Sequence, residues 1–317
     1  MADKEERLKA LREKIDRIDD QLLKLLNERA ALVLEVGTVK KEEQRRFHVL
    51  EREEAIYQRL MQSNSGPFPS AAIRPIFREI MSASLSLEKV LKIACLGPEA
   101  TFCHIAAIQQ FGEAASYIPT RGIPDIFDEV ERGRADYGVV PIENSTEGVV
   151  NLTLDMFIES PLRICSEVML EISQCLLSHA ANIEDITVVY SHPQALAQCY
   201  NWIAKNLPHA EIKETFSTAM AAKMAKDKPH IAAIASEFAA KTYGVPVCRL
   251  RIEDNTQNYT RFWIIASASP GRTGKDKTSL MLTIKDGVGA LHDILSPFAQ
   301  NSINLSKIES RPFRKKP

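Results

Sequence analysis

Between residues 4 and 41 the chain has no proline and one glycine, Gly37. Its apolar residues there fall at Leu8, Leu11, Ile15, Ile18, Leu22 and Leu25, in alternating steps of three and four. That spacing keeps one stripe on one side of an α-helix, the seam of a coiled-coil-like contact. At 1.5 Å per residue the predicted helix is a rod on the order of 55 Å long. Two shorter helices are predicted at 49–62 and 70–88. The breaker cluster Ser63-Asn64-Ser65-Gly66-Pro67-Phe68-Pro69 separates them, and Ser70 is the expected N-cap of the third. Two short helices cannot cover so long a stripe, so a homodimer is expected.

The building style changes near residue 90. The first 90 residues hold 33 of the 81 charged residues in a chain of 317, two glycines and no cysteine. All six cysteines and most Gly and Pro follow. The net charge of −1 argues against gripping nucleic acid or an anionic membrane by bulk electrostatics. No apolar run approaches the ~18–20 residues of a membrane span. Residues 1–11 are charged throughout, so no secretory signal is read and the expectation is cytoplasmic. The cysteines form no Cys-x-x-Cys pair and read as reduced, buried thiols. The histidines show no ligand spacing, so neither a metal site nor a cofactor is expected.

Polar residues interrupt the apolar stripes of the helices. Continued beyond Leu25, the first stripe meets Arg29, Val33, Val36 and Lys40. Arg29 and Lys40 are eleven residues apart, about 20° in helical phase, and share a face. Arg52 shares a stripe with Ile56 and Leu60. Ile73, Phe77, Ile80 and Met81 lead to Ser84 and Glu88 at i, i+4. Arg12 lies about 100° from Arg29, so one helix cannot aim both at one point; across a dimer Arg12 serves a second site. For any one of these residues, a basic side chain snorkelling at the stripe edge is the ordinary explanation. As a set they place three cations and an acid toward one interior, where unpaired charge is costly. A dianionic ligand would pair them, with Arg forks matching carboxylates.

The run Leu11-Arg12-Glu13-Lys14-Ile15-Asp16, then Glu28-Arg29, Glu35-Val36-Gly37-x-x-Lys40 and Arg52-Glu53, resembles the all-helical class of chorismate mutase over residues 5–90. The resemblance implies a domain-swapped dimer whose sites mix helices of both chains. It implies that Arg12 (from the partner chain) and Arg29 bind one substrate carboxylate and that Arg52 helps hold the substrate. Lys40 and Glu88 would hydrogen-bond the ether oxygen, Ser84 would line the site and Glu53 would contact the ring hydroxyl. Many relatives have Gln where this chain has Glu88, so Glu88 is expected to work protonated, its pKa raised by burial. Val49 stands where some relatives place an Asp.

From residue 91 short apolar runs alternate with amphipathic stretches. Strands are predicted at 91–96, 137–142, 187–190, 230–235 and 260–266, with an extended stretch at 163–178. Helices are predicted at 101–111, 125–132, 150–159, 195–207, 217–225 and 237–243. This is an α/β pattern, with binding residues expected where strands end and helices begin. Four polar clusters occupy such places: Gly97-Pro98-Glu99-Ala100-Thr101-Phe102, Pro141-Ile142-Glu143-Asn144-Ser145-Thr146, Ser191-His192-Pro193-Gln194 and Thr260-Arg261-Phe262. Individually each reads as well as a cap or a turn. No nucleophile elbow or dinucleotide fingerprint is present.

In this order the four clusters resemble prephenate dehydratase over about 91–268, the triplet Thr260-Arg261-Phe262 being the most specific piece. The resemblance implies two α/β lobes around a cleft. Thr260 would assist departure of the ring hydroxyl, and Phe262 belongs to the same substrate-binding triplet. Glu143, Asn144, Ser191 and Gln198 would line the cleft, and Thr101 and Arg261 would lie near the substrate carboxylates. Ala100 and Cys103 replace a common Gly and Ser, and Cys103 is the cysteine expected nearest the site.

Gly271-Arg272-Thr273-Gly274-Lys275 reads as a linker, too short in spacing for a phosphate loop. Strands are predicted at 279–285 and 304–310 around a helix at 289–299. Gly289-Ala290-Leu291 and Glu309-Ser310-Arg311-Pro312 resemble the phenylalanine-binding motifs of an ACT-type regulatory domain, about half of which lies before Pro317. L-phenylalanine is then the expected allosteric inhibitor.

The expected fold is thus multi-domain, α and α/β. A helical dimeric mutase bundle spans 1–90, a two-lobed α/β dehydratase domain 91–270 and a partial ACT (ferredoxin-like) domain 277–317. The expected substrates are chorismate and prephenate, on the path to L-phenylalanine. Two alternatives stay open: a monofunctional dehydratase whose helices only dimerise, and a two-lobed small-molecule binding protein without catalysis.

Overall fold

The structure is a computed structural model and describes residues 2–42, 48–284 and 287–310. It forms two units, Met1–Gly274 and Lys275–Pro317. The first begins with three helices, α1 (Ala2–Glu42), α2 (Leu50–Ser63) and α3 (Ser70–Ser86). Pro69, not the expected Ser70, is the N-cap of α3. Proline's fixed φ, here −68°, suits the extended cap position, and Ser70 becomes the first helical residue, its Oγ accepting from Asn64. The helix ends at Ser86, short of the expected 88, so Glu88 sits in the turn that follows.

The chain then builds β1 (Lys92–Leu96), α4 (Phe102–Phe111), β2 (Ser116–Thr120), α5 (Ile123–Glu131), β3 (Tyr137–Asn144), β4 (Gly148–Val149), α6 (Asn151–Met156) and β5 (Arg163–Glu171). Next come β6 (Cys175–Ser178), β7 (Val188–Ser191), α7 (Pro193–Gln198), α8 (Tyr200–Asn206), β8 (Glu211–Glu214), α9 (Thr218–Ala225), β9 (Ile231–Ala235), α10 (Glu237–Tyr243), β10 (Val247–Arg249) and β11 (Tyr259–Ala266). The single helix expected at 195–207 is two, broken at Cys199, whose φ of −114° leaves the helical region. The helix expected at 150–159 is the shorter α6. The extended stretch at 163–178 is two strands belonging to different sheets.

The two sheets are the two lobes. One runs β2-β1-β3-β11-β5, with β4 paired to β3; the other runs β10-β6-β9-β7-β8. In the first, β1 is parallel to β2 and β3, while β11 is antiparallel to β3 and β5. In the second, β7 is parallel to β8 and β9, and β6 is antiparallel to β9. Each sheet is covered on both faces by apolar clusters. Strand β9, Ile-Ala-Ala-Ile-Ala, is buried at every position, as a central strand between two helical layers must be.

The chain crosses between lobes twice, after β5 and before β11, and the two crossings are tied together. Ile172 N donates to Asn258 O at 2.8 Å, Ile252 N to Gln174 O at 2.8 Å, and Gln174 N to Glu253 Oε2 at 2.8 Å. The end of β3 is joined to the start of β11 by strand pairing, and the turn after β1 is tied to the second lobe where the Tyr243 hydroxyl donates to Glu99 O at 2.9 Å.

In the second unit the regular element is α11 (Ala290–Gln300), preceded by Gly289 at φ +83°. The strands expected at 279–285 and 304–310 do not form at 279–284 or 304–310, whose apolar side chains are exposed. A strand needs a partner for its backbone donors and acceptors, and none is supplied among the described residues. Arg311 and Pro312 lie outside the described residues. Among those residues no helix is long and apolar enough to cross a membrane.

Candidate active sites

The first cluster lies between α1 and α3. Arg29 Nη1 donates to Ser84 Oγ at 2.7 Å, and Ser84 Oγ donates to Ile80 O at 2.7 Å, so the helix carbonyl aims the hydroxyl at the guanidinium. Burial lowers the Arg29 pKa. Two turns further along α1, Gly37 is buried against Glu88. A Cβ at Gly37 would lie 2.5 Å from Glu88 Oε2, so the missing side chain is what admits the carboxyl. Burial pushes the Glu88 pKa up, and the positive charge of Lys40 opposes that shift. Glu88 Oε2 is fully buried and has no hydrogen-bond partner among the described residues. Both the burial and the upward shift favour the protonated form of this acid.

Arg29, Lys40, Ser84 and Glu88 are thus brought together. Arg12 stands exposed, 17 residues before Arg29, about 25 Å down the same helix. It does not reach the site of its own chain. Arg52 is exposed on α2. Glu53 turns toward the neighbouring lobe, its Oε1 2.9 Å from His48 Nε2, while His48 Nδ1 lies 3.0 Å from the Tyr137 hydroxyl at the start of β3. His48 and Tyr137 carried no sequence signal, because only packing brings α2 beside β3.

The second cluster joins the end of β3 to the start of β11. Thr260 pairs with Asn144 across the two strands. Asn144 Oδ1 accepts from Thr146 N at 2.9 Å and Glu147 N at 3.2 Å, the turn after β3. Its Nδ2 donates to Thr260 Oγ1 at 2.8 Å and to Asn258 Oδ1 at 3.0 Å. Because Thr260 Oγ1 accepts this bond, its own hydrogen remains free to be donated elsewhere. Asn258, one residue before β11 begins, escaped the sequence reading.

Arg261, next along the strand, points to the opposite face. Its guanidinium pairs with Glu143, its cross-strand neighbour, and lies 3.8 Å from Glu167. Phe262 is 2% exposed in the apolar core, so in this state it packs rather than faces the cleft. Thr101 caps α4: its Oγ1 donates to Leu96 O at 2.6 Å and accepts from His104 N at 3.3 Å. Ser191, at the end of β7, is fully buried and donates to Ile234 O at 2.6 Å. Gln198, half-buried, accepts from Gln174 Nε2 through its Oε1 at 3.3 Å.

Cys103 is a packing residue. Its Sγ accepts from Leu96 N at 3.3 Å and donates to Val139 O at 3.2 Å, and burial pushes its thiol well above the ordinary range. Ala100 sits at φ +65°, the left-handed region that favours glycine.

Residues 93–270 match the prephenate dehydratase family and residues 11–89 match type II chorismate mutase. A bifunctional chorismate mutase/prephenate dehydratase of Aquifex aeolicus is 49% identical over 98% of this chain and 87% of its own. One from Pseudomonas aeruginosa is 44% identical over 99% of this chain and 87% of its own. The solved prephenate dehydratase of Arthrobacter aurescens, in complex with L-Phe, superposes with a TM-score of 0.62. It is 35% identical and covers 70% of this chain and 76% of that one.

Proposed function

This chain belongs to the family of bifunctional chorismate mutase/prephenate dehydratases, and from that premise we propose how its residues divide the two reactions. It rearranges chorismate to prephenate and converts prephenate to phenylpyruvate with loss of water and CO2, within phenylalanine biosynthesis. The identity runs through both segments, which favours this reading over a dehydratase with a merely dimerising arm and over a binding protein.

The mutase step is pericyclic and needs no covalent intermediate. Catalysis consists of holding a reactive conformer and stabilising negative charge on the oxygen of the breaking C–O bond. Arg29, Arg52 and a second copy's Arg12 hold the dianion. Lys40 and protonated Glu88 donate to the ether oxygen, and Ser84 holds Arg29 in place. Glu53 takes the substrate hydroxyl by leaving His48. The apolar stripe of α1, with Leu11, Ile15 and Leu22 each about half exposed, is covered by that second copy in a homodimer.

In the dehydratase step the ring C–carboxylate bond breaks, its electrons aromatise the ring, and the ring hydroxyl leaves as water. Aromatisation drives the reaction, so the protein has to help one leaving group depart and hold the carboxylate. The observation that carries this assignment is the polarity of the Asn144–Thr260 bond. Thr260 accepts from Asn144, which leaves its own hydrogen available as a hydrogen bond to the departing hydroxyl; the proton that makes that group water comes from solvent through the hydrogen-bonded relay, and Thr260 stays a neutral hydroxyl. Glu143, Asn144 and Gln198 line the cleft, whereas Ser191, fully buried and bonded to Ile234 O, supports it from beneath. Arg261 holds a carboxylate by exchanging its acidic partners for substrate, and Thr101, its hydrogen given to Leu96 O, lies near the carboxylates as the cap of α4. Residues 277–317 are assigned as a partial ACT-type regulatory domain, with Gly289-Ala290-Leu291 and Glu309-Ser310-Arg311-Pro312 as the groups that would take L-phenylalanine.

The test is to supply the purified chain with chorismate and follow prephenate and phenylpyruvate. Glu88→Ala is expected to stop prephenate formation but not its consumption, and Thr260→Ala the reverse. Neither product appearing from the unaltered chain overturns the reading. Prephenate turnover that persists in Thr260→Ala overturns the role of Thr260.

A further inference from the structure

Asn144 is held in one orientation by the backbone. The N–H groups of Thr146 and Glu147 both point at its Oδ1, so its Nδ2 faces the other way. The two hydrogens of that nitrogen lie in the amide plane, about 120° apart, and two oxygens wait for them, Thr260 Oγ1 at 2.8 Å and Asn258 Oδ1 at 3.0 Å. Aiming one hydrogen at Thr260 therefore depends on where the other is tied.

Asn258 is built to tie it. Its own backbone oxygen accepts from Ile172 N at 2.8 Å, which anchors it to the other interlobe crossing. On either side the chain is laced to the turn after β3: Tyr259 N donates to Ser145 Oγ at 2.9 Å and Ser145 N to Tyr259 O at 2.8 Å. Asn258 is 1% exposed, and its Nδ2 has no partner among the described residues. A flipped amide would set two donors against each other at Asn144, so the oxygen must face Asn144 and the nitrogen is left unused. An unpaired buried donor is a standing cost. The position therefore uses the carboxamide for its oxygen.

We infer that Asn258 is a positioning residue for the dehydratase reaction: it fixes Asn144, and through Asn144 it holds Thr260 with its hydroxyl hydrogen turned to the leaving group. This rests on the reading of Thr260 as the donor. Asn258 itself does not touch substrate. Without its oxygen the Asn144 amide stays hinged at Oδ1 by Thr146 N and Glu147 N but can twist at its Nδ2 end, so the hydrogen aimed at Thr260 loses its direction, which slows turnover while leaving the groups that bind prephenate in place.

The experiment measures kcat and KM for prephenate in the full chain carrying Asn258→Ala, Thr260→Ala or both. Chorismate consumption by the same samples reports the folded fraction, since the mutase cluster lies on other elements. Asn258→Ala is expected to lower kcat about 10- to 100-fold, the scale of an ångström-sized misplacement, with KM within about threefold. In the Thr260→Ala background the same change is expected to cost less than about threefold more, because both act through one hydrogen bond. If Asn258→Ala does not fold, Asn258→Leu, which fills the space and removes the unpaired donor, is expected to show the same loss of kcat. A kcat within twofold of the unaltered chain, a rise in KM in place of the fall in kcat, or losses that multiply in the double variant each overturn the inference. A Thr260→Ala chain that retains turnover instead overturns the reading on which it rests.

Discussion

Gly37 sets how closely α1 approaches Glu88, and Gly37→Ala tests whether that approach serves the chemistry. A Cβ there would stand 2.5, 2.6 and 2.8 Å from Oε2, Cδ and Cγ of Glu88, where ordinary contact begins at 3.4 Å. The carboxyl would have to move by about 1 Å. All three atoms belong to the end of a flexible side chain, so the move costs about 0.5–1.5 kcal/mol in rotamer strain. Alanine in a helix interior gains roughly 1 kcal/mol over glycine. The two offset, and folding stability is expected to change by no more than about 1 kcal/mol. Activity does not share the compensation. A carboxyl displaced by an ångström no longer meets the ether oxygen, a loss of about 100-fold, equivalent to about 2.7 kcal/mol of transition-state stabilisation. The assay is kcat/KM for chorismate, with prephenate consumption by the same sample as the internal standard. Mutase activity within twofold of the unaltered chain, with unfolding unchanged, would refute the argument that this contact positions Glu88.

The pKa of Glu88 yields a pH prediction. Burial raises it, so the folded protein favours the protonated acid; that preference is complete at low pH and is lost as pH rises through the raised pKa. Mutase activity is therefore expected to hold through the ordinary carboxylate range and to fall about tenfold per pH unit above the raised pKa, whereas Glu88→Gln is flat there. Parallel pH–rate profiles would contradict this. Gly138→Ala would set a methyl 2.6 Å from Ile126 Cγ2, 2.9 Å from Ile265 Cγ1 and 3.1 Å from Val130 Cγ2. The overpacking is expected to cost about 1–3 kcal/mol, seen as a lower urea midpoint, and an unchanged midpoint argues against so tight a contact. Tyr137→Phe leaves His48 Nδ1 without its partner and is expected to cost about 1–3 kcal/mol in the same measurement while both activities persist.

The elements that the sequence reading missed share one property. β2, β8 and β10 are all edge strands, as the sheet orders show. Ser-Tyr-Ile-Pro-Thr, Glu-Ile-Lys-Glu and Val-Cys-Arg are short and half polar, and they are strands because a neighbour pairs with their backbone. The interior strands, buried on both faces, announced themselves as apolar runs. In the tail the reverse happened: residues 279–284 and 304–310 read as strands from their sequence, but no strand pairs with them among the described residues, and they are irregular.

The sequence by itself determined the long seam of α1, the change of architecture near residue 90, and which stripes carry Arg29, Lys40 and Ser84; Glu88, read as one helical turn beyond Ser84, lies instead in the turn after α3. Those facts are local, since helical and strand periodicity assign each residue a face. It also carried the polar clusters at strand ends, although not their internal wiring. Only the tertiary structure decided that Glu53 pairs with His48, that Arg261 pairs with Glu143, and that Asn258 completes the amide contacts of Asn144. His48 and Tyr137 are 89 residues apart, and Asn144 and Asn258 are 114 apart. A face constrains where a side chain points, but its hydrogen-bond partner is whatever packing brings within 3 Å, and no local pattern encodes that.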